Sequence, residues 1–132
     1  MILHFFINEC LKYPHQIEIL ISVSNHSNYL TDILVRNPEY FHWIINPSVL
    51  EQRLDEKYLR NNLEKTVSSF KSFDSKINAI RNIKRKEILR IGLKDIYLKE
   101  DLKNITCYLS NLATSISSIL FELCYKEILH KH

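Results

Sequence analysis

The side chains most able to do chemistry are spread along this 132-residue chain without the spacing of a metal site or a catalytic pair. Its six histidines never occur as H-x-x-x-H, the spacing that places two ligands on one face of a helix. The acidic pairs Asp55-Glu56 and Glu100-Asp101 are adjacent in sequence. Neighbouring residues on a helix point about 100° apart, so neither pair converges on one ion. The sequence therefore predicts no metal site and no nucleophile with its base.

Phosphate-binding and redox motifs are also missing. The lone glycine, Gly92, excludes a P-loop and a dinucleotide fingerprint, because both need several glycines to bring backbone N–H groups against phosphate. Cys10, Cys107 and Cys124 are widely spaced, which favours reduced thiols in a cytosolic protein. The net charge of +3 is mild, and the run at 84–86 is interpreted as solvated. Nucleic-acid binding is not expected.

The most unusual stretch is "KRKEILRIGLKDI" at 84–96, in which charged residues alternate with Ile and Leu. On a helix, the apolar residues from 77 to 96 form two stripes on nearly opposite sides, one of Ile77, Ile80, Ile88 and Ile91 and one of Leu89, Leu93 and Ile96. A helix that is apolar on two sides is normally sandwiched between other helices. Its charged side chains then have little access to water.

Two interpretations of these charges remain open. In the favoured one, a salt-bridge network clamps neighbouring helices, because partly buried charges must be paired. We expect Glu87, Arg90 and Asp95 to be partly buried and paired, with Arg85 either joining them or facing another domain. In the other interpretation, Lys84, Arg85 and Arg90 form a surface for another domain or an anionic ligand.

The elements around this stretch are predicted to be helices, since one Gly and three Pro are too few for the turns of a β-rich fold. Capping and proline signals predict helices over 2–11, from Pro14, from a Ser27 cap to near Asn37, and from Pro38 with Asn37 as its cap. A Ser48/Glu51 capping box predicts a helix from about 49 towards Phe70. Asp74 is the predicted cap of the helix that holds the charged stretch.

The last helix has the clearest pattern, an apolar seam at alternating spacings of three and four: Leu102, Ile105, Leu109, Leu112, Ile116, Ile119 and Leu123. Such a seam packs lengthwise on another helix. The predicted fold is all-α, a bundle of about five or six helices with a long C-terminal helix, in a single domain over 1–132. No apolar run reaches the roughly 18 residues needed to span a bilayer, and no signal peptide is visible. We expect a cytoplasmic protein without a membrane partner.

Two blocks of the sequence resemble the glutamine-synthetase adenylyltransferase family, in the helical segment that precedes its nucleotidyltransferase domain. The stretch 83–116 is similar to the family's R-x-E-x-L-R-I, Asp and D-L-x-x-V-T-x-x-L-S-x-L-A pattern, at Arg85, Glu87, Leu89, Arg90, Ile91, Asp95, Asp101, Leu102, Thr106, Leu109, Ser110, Leu112 and Ala113. The stretch 27–44 is similar to S-x-Y-L-x-x-L-L-x-R-x-P-E-x-x-x-W-L, at Tyr29, Leu30, Arg36, Pro38, Glu39 and Trp43. Both blocks agree in order and spacing.

The resemblance implies an AMP-transferring enzyme, but the catalytic motif of that family is missing from this sequence. A family enzyme transfers AMP from ATP to a tyrosine of glutamine synthetase, a similar second half removes it, and a small nitrogen-signalling protein regulates both. Its G-S and D-x-D motif holds magnesium and ATP, but no D-x-D occurs in this chain. We therefore expect an N-terminal, non-catalytic fragment that scaffolds a downstream nucleotidyltransferase domain and is inactive alone. The start at Met1 favours the deadenylylating half.

The alternative function is a free-standing helical interaction module, with the "KRK" run and the aromatic "YFHW" stretch at 40–43 as contact points. The reading frame beyond His132 separates the two hypotheses, since a Gly-Ser and an Asp-x-Asp there would support the first. A stop codon would support the second.

Overall fold

The structure, a computed structural model, describes residues 14–131, with side chains described from residue 18 onward. Within this range seven α-helices and no strand are present: α1 Pro14–His26, α2 Asn28–Arg36, α3 Glu39–Ile44, α4 Pro47–Glu51, α5 Glu56–Ser68, α6 Phe73–Ile96 and α7 Leu102–Lys131. The all-α prediction is confirmed, as is the long C-terminal helix. The predicted helix over 2–11 lies outside the described residues.

Local signals placed several helix ends correctly. Helix α1 begins at Pro14, and Ser27 caps α2 by accepting a hydrogen bond from the Leu30 backbone N–H at 3.1 Å. Helix α2 ends at Arg36, before Asn37 and Pro38, as predicted. These ends depend on contacts within three or four residues, so the sequence determines them directly.

Three predicted boundaries are wrong. The helix expected from about 49 towards Phe70 is two helices, because α4 ends at Glu51 and Asp55 starts α5 by accepting a 2.8 Å hydrogen bond from the Tyr58 N–H. Asn46, rather than Ser48, caps α4. This additional break raises the number of helices above the predicted five or six.

The other two errors concern side chains that were expected to cap helices. Asn37 does not cap α3; its Nδ2 donates to the Ile33 carbonyl at 2.9 Å and so completes the end of α2. Asp74 lies inside the first turn of α6, and Ser72 Oγ accepts the Ser75 N–H at 3.1 Å in the capping position. At α6 a neighbouring serine thus takes the capping position, whereas α3 starts after Pro38 without a side-chain cap.

The chain forms two compact units, which are described separately. The first comprises the described residues up to Gln52 together with Leu89–Ile105, so it contains α1 to α4 and the C-terminal part of α6. Its buried apolar residues include Leu30, Leu34, Phe41, Ile44, Leu89 and Leu93. The prediction of a single domain over 1–132 stays a prediction.

The second unit comprises Arg53–Ile88 and the chain from Thr106 on, and its core joins α5, α6 and α7. The core residues are Leu63, Val67, Ile80, Ile83 and Ile119, with Ile116, Leu120 and Leu123 packed against them. The loop before α5 is fixed to α7, because Asn111 Nδ2 donates to the Leu54 carbonyl at 3.1 Å. Four of these eight side chains come from α7, so α7 is central to this unit.

The predicted seam of α7 is only partly buried. Ile105, Leu112 and Ile119, spaced seven apart, are buried, whereas Leu102 and Leu109 are 74% and 47% exposed. A seven-residue spacing is two helical turns, so the buried side chains lie along one narrow line on α7 rather than along the full predicted seam.

By length and composition, α7 is the one helix in the described part of the chain that could cross a membrane. The sequence-based prediction that no segment reaches this threshold is therefore wrong. Core helices of soluble proteins also meet both conditions, so α7 by itself assigns no location.

Candidate functional site

Three charged residues of the stretch at 84–96 are almost fully buried. Glu87, Arg90 and Lys94 are 1%, 3% and 2% exposed. They are three and four residues apart, which places them on one face of α6. We call them the buried charged face. Because burial of an unpaired charge costs several kcal/mol, the contacts of these three side chains matter more for stability than those of the exposed charges of α6.

Arg90 lies against an aromatic ring from another helix. Its guanidinium carbon is 4.6 Å from the centroid of the Trp43 ring, in the cation–π range, and Trp43 comes from α3 of the same unit. Guanidinium is weakly hydrated and planar, so it suits a stacked, buried position better than an ammonium group. The contact joins the two sequence blocks that carry the family resemblance.

Lys94 is held by the turn that follows α6. Its Nζ lies 3.3 Å from Glu100 Oε2, and the backbone N–H of Glu100 donates to the Lys94 carbonyl at 2.9 Å. The chain reverses through Lys99, which has a φ of 54°, the left-handed region that non-glycine residues rarely adopt. A cation in the last helical turn also interacts favourably with the helix dipole. Lys94 and Glu100 are thus joined both by a side-chain ion pair and by a backbone hydrogen bond.

The single glycine of the chain lets α2 and α6 approach closely. A Cβ added to Gly92 would clash with Leu30 Cδ1 and would lie 3.1 Å from Leu30 Cδ2, tighter than most real contacts. Leu30 is only 5% exposed, so it has little room to move. Gly92 is helical without a positive φ, so its role is close packing. This is the second contact between the two family-like blocks.

The predicted network residues have different outcomes. Glu87 and Arg90 are buried, as expected. Asp95 is exposed, so its predicted burial is wrong: it follows the buried Lys94 by one residue, and neighbouring residues on a helix point about 100° apart. Arg85 is also exposed and donates to Asn82 Oδ1 at 3.0 Å, so it does not join the buried charged face. Its predicted role towards another domain stays a prediction.

Sequence reasoning missed Lys94. The signal was available, because Lys94 lies four residues after Arg90 and seven after Glu87, on the same face of the helix. Lysine is rarely buried and was therefore not considered. Its partner Glu100 could not be inferred, since the contact depends on the left-handed conformation of Lys99.

The family-motif positions of the first block divide into packing and surface residues. Leu30 is buried and Trp43 half-buried, as described above. Tyr29 is 59% exposed, and Arg36 forms an exposed ion pair, with its Nε 3.0 Å from Asp32 Oδ2. Pro38 and Glu39 start α3. The buried members of the block contact α6, while Tyr29, Arg36 and Glu39 remain accessible.

A second polar cluster lies in the second unit and was not predicted. Arg60 Nη2 donates to Ser118 Oγ at 2.6 Å and lies 3.2 Å from Glu122 Oε1, while its Nε lies 3.4 Å from Glu64 Oε1. We call these four residues the Arg60 cluster. The cluster links α5 to α7, and its charged side chains are 37–51% exposed. The Arg60–Glu64 pair has the i,i+4 spacing of a local helical pair, but nothing in the local sequence indicates the contacts with Ser118 and Glu122, about sixty positions away.

No arrangement among residues 14–131 resembles a reaction centre. Groups of three His, Cys, Asp or Glu side chains able to hold a metal ion are absent from the described residues. The buried charges are fixed by packing and lie away from solvent. The described geometry is one of packed helices, in which Arg90 and the Arg60 cluster contact side chains of neighbouring helices.

Comparison with known proteins places this helical chain in a known family. The family model for glutamate-ammonia ligase adenylyltransferase matches residues 17–132, nearly the whole chain. The chain therefore belongs to the glutamate-ammonia ligase adenylyltransferase family, and the resemblance inferred from the two sequence blocks is confirmed.

Two bifunctional glutamine synthetase adenylyltransferase/adenylyl-removing enzymes are similar to the chain, one from Burkholderia mallei and one from Burkholderia pseudomallei. Each is 17% identical over 121 residues, which are 92% of this chain and 13% of the relative. The chain thus spans about an eighth of the length of these relatives. No solved structure matches the chain.

Proposed function

We propose that this chain is a non-catalytic helical region of an adenylyltransferase of the glutamine synthetase system, and that it scaffolds the nucleotidyltransferase domain of such an enzyme. One observation carries the proposal: the family match extends over 17–132, yet the sequence contains neither a Gly-Ser nor an Asp-x-Asp. Those motifs supply the backbone N–H groups and carboxylates that hold phosphate and magnesium.

The packing of the first unit supports a scaffolding role. The side chains at the motif positions are used between helices, with Trp43 against Arg90 and Leu30 against Gly92. A region that positions another domain must be rigid, and interlocked side chains provide rigidity. Tyr29, Arg36 and Glu39 form the accessible part of the motif and are the residues best placed to contact the catalytic domain.

The remaining partners follow from the family. Magnesium and ATP would be bound by the catalytic domain, with no ligand from this chain. Glutamine synthetase and a small nitrogen-signalling protein are the proposed partners of the complete enzyme, in the cytoplasm.

Two measurements test the proposal. Titration calorimetry of the chain with Mg-ATP should give no saturable heat, and incubation with glutamine synthetase and labelled ATP should transfer no AMP. Addition of the chain to a separately produced nucleotidyltransferase domain of a bifunctional relative should raise the melting temperature of that domain. A saturable Mg-ATP isotherm would contradict the non-catalytic assignment, and an unchanged melting temperature would contradict the scaffold.

The alternative, a free-standing helical interaction module, is supported by the exposed apolar end of α7. Phe121, Tyr125, Ile128 and Leu129 are each more than half exposed, and the Phe121 and Tyr125 rings stack with centroids 6.2 Å apart. Exposed apolar patches commonly mark interaction surfaces. A stop codon after His132 would favour this alternative, whereas a following Gly-Ser and Asp-x-Asp would favour the scaffold.

A further inference from the structure

We propose that a groove in the second unit binds an acidic amphipathic segment of a partner protein. The groove has a volume of about 360 Å³ and lies between the start of α6 and the end of α7. We call it the basic groove and define it by its apolar floor, Phe73 and Leu123, and its basic rim, Lys71, Lys76, Lys126 and His130. The proposal names a partner chemistry and does not depend on the proposed scaffold.

The rim carries positive charge that the protein does not neutralise. Lys71 and Lys126 are exposed, and neither forms an ion pair with any residue that the structure describes. Lys76 Nζ donates to the Val67 carbonyl at 3.2 Å, a neutral acceptor that leaves its charge in place. Three ammonium groups thus line one groove, and none of them forms an ion pair within the described residues.

The carboxylates near the groove already have cationic partners. Glu127, on the rim, lies 3.5 Å from Lys131 Nζ. Glu64 and Glu122 line the adjoining hollow, and both contact Arg60. Glu64 and Glu122 share one arginine, so together they leave one negative charge against the three lysines of the rim. The balance of charge at the groove is therefore positive, and it favours an anionic partner.

The floor indicates a peptide rather than a small anion. Phe73 and Leu123 are half-buried, and the adjoining hollow of about 180 Å³ shares Lys76, Leu123 and Lys126 and extends the apolar surface over Val67 and Ile119. A phosphate ion has no apolar surface that could pack against such a floor. A helix with an apolar stripe and flanking carboxylates matches both the floor and the rim, as in other helix-in-groove complexes.

The proposal is tested by fluorescence anisotropy with a labelled synthetic helix of about four turns, carrying Leu along one stripe and Glu on both flanks. We expect saturable binding that weakens as salt is raised, because exposed charge pairs are screened. The double variant Lys71→Glu/Lys126→Glu should lower the affinity by about tenfold or more. The matched control is Lys57→Glu/Lys103→Glu, which makes the same change in net charge at exposed lysines that do not line the groove and should bind like the parent.

Variation of the probe tests the floor without altering the fold. A peptide with Ser in place of Leu should bind at least about tenfold more weakly. Equal loss in both charge-reversal variants, or equal affinity for the Leu and Ser peptides, would overturn the proposal by showing only non-specific attraction. Complete competition by inorganic phosphate or tighter binding of a single-stranded RNA would also overturn it. Circular dichroism confirms that each variant is folded.

Discussion

The buried charged face of α6 and the Arg60 cluster both contain cations beside helices, but their surroundings differ greatly. Arg90 and Lys94 are 3% and 2% exposed, whereas the Arg60 side chain is 37% exposed and its two carboxylate partners are about half exposed. Water screens and solvates the second set and barely reaches the first. The contribution of a charged side chain to stability in this protein therefore depends on how deeply it is buried more than on the distance to its partner.

The comparison also shows why the number of ion pairs is a poor measure of their importance. Arg60 has two carboxylates and a hydroxyl within reach but is partly exposed, while the nearly fully buried Lys94 lies 3.3 Å from Glu100 Oε2. An exposed pair contributes about 0–1 kcal/mol, whereas a cation stranded in the interior costs several. We expect the buried network to dominate stability.

The largest expected effect comes from truncation within the buried charged face. Glu87→Ala or Arg90→Ala should lower the free energy of unfolding by about 3–5 kcal/mol, because a buried charge loses its compensation. Chemical denaturation followed by circular dichroism measures the change. Unchanged midpoints in both variants would show that these charges are not structural and would favour a role in binding.

Removal of Glu100 isolates the contribution of the turn after α6. Glu100→Ala should lower the free energy of unfolding by about 3 kcal/mol, since Lys94 stays buried. Lys94→Met, which keeps much of the shape and removes the charge, should cost less than Glu100→Ala. If Lys94→Met is the more damaging change, burial of the charge is not the controlling factor.

An intermediate effect is expected at the close contact of α2 and α6. Gly92→Ala should destabilise the protein by about 1–2 kcal/mol: overpacking against Leu30 costs about 1–3 kcal/mol, and the better helix propensity of Ala returns up to about 1 kcal/mol. Leu30→Val provides space for the added methyl group. The double variant should therefore be more stable than the sum of the single changes predicts, and strict additivity would refute the steric explanation.

The smallest effect is expected in the Arg60 cluster. Glu64→Ala should change the free energy of unfolding by less than about 1 kcal/mol, because the pair is exposed and Glu122 still faces Arg60. High salt should reduce even this difference. A loss comparable to that of Glu100→Ala would remove the distinction between the two regions.

The sequence-based predictions succeeded or failed according to whether a feature depends on neighbouring residues or on the fold. The Ser27 cap and the stop before Pro38 were predicted because each depends on neighbours within a few residues. The burial of Glu87 and Arg90 followed from the two apolar stripes. The missed break at 52–55 had a local signal too, in Asp55 three residues before Tyr58, but the Ser48/Glu51 pattern matched a capping box equally well. Competing local signals were separated only by the fold.

The sequence by itself determined that the chain is helical, which family it resembles, and that α6 is apolar on two sides. These properties reside in periodicity, capping and motif order, all of which are local. Only the tertiary structure decided that Asp95 is exposed while Lys94 is buried, that Trp43 covers Arg90, and that Leu30 requires Gly92. The physical reason is that burial and close contact depend on which helix face meets which neighbour, and residues distant in sequence set that choice.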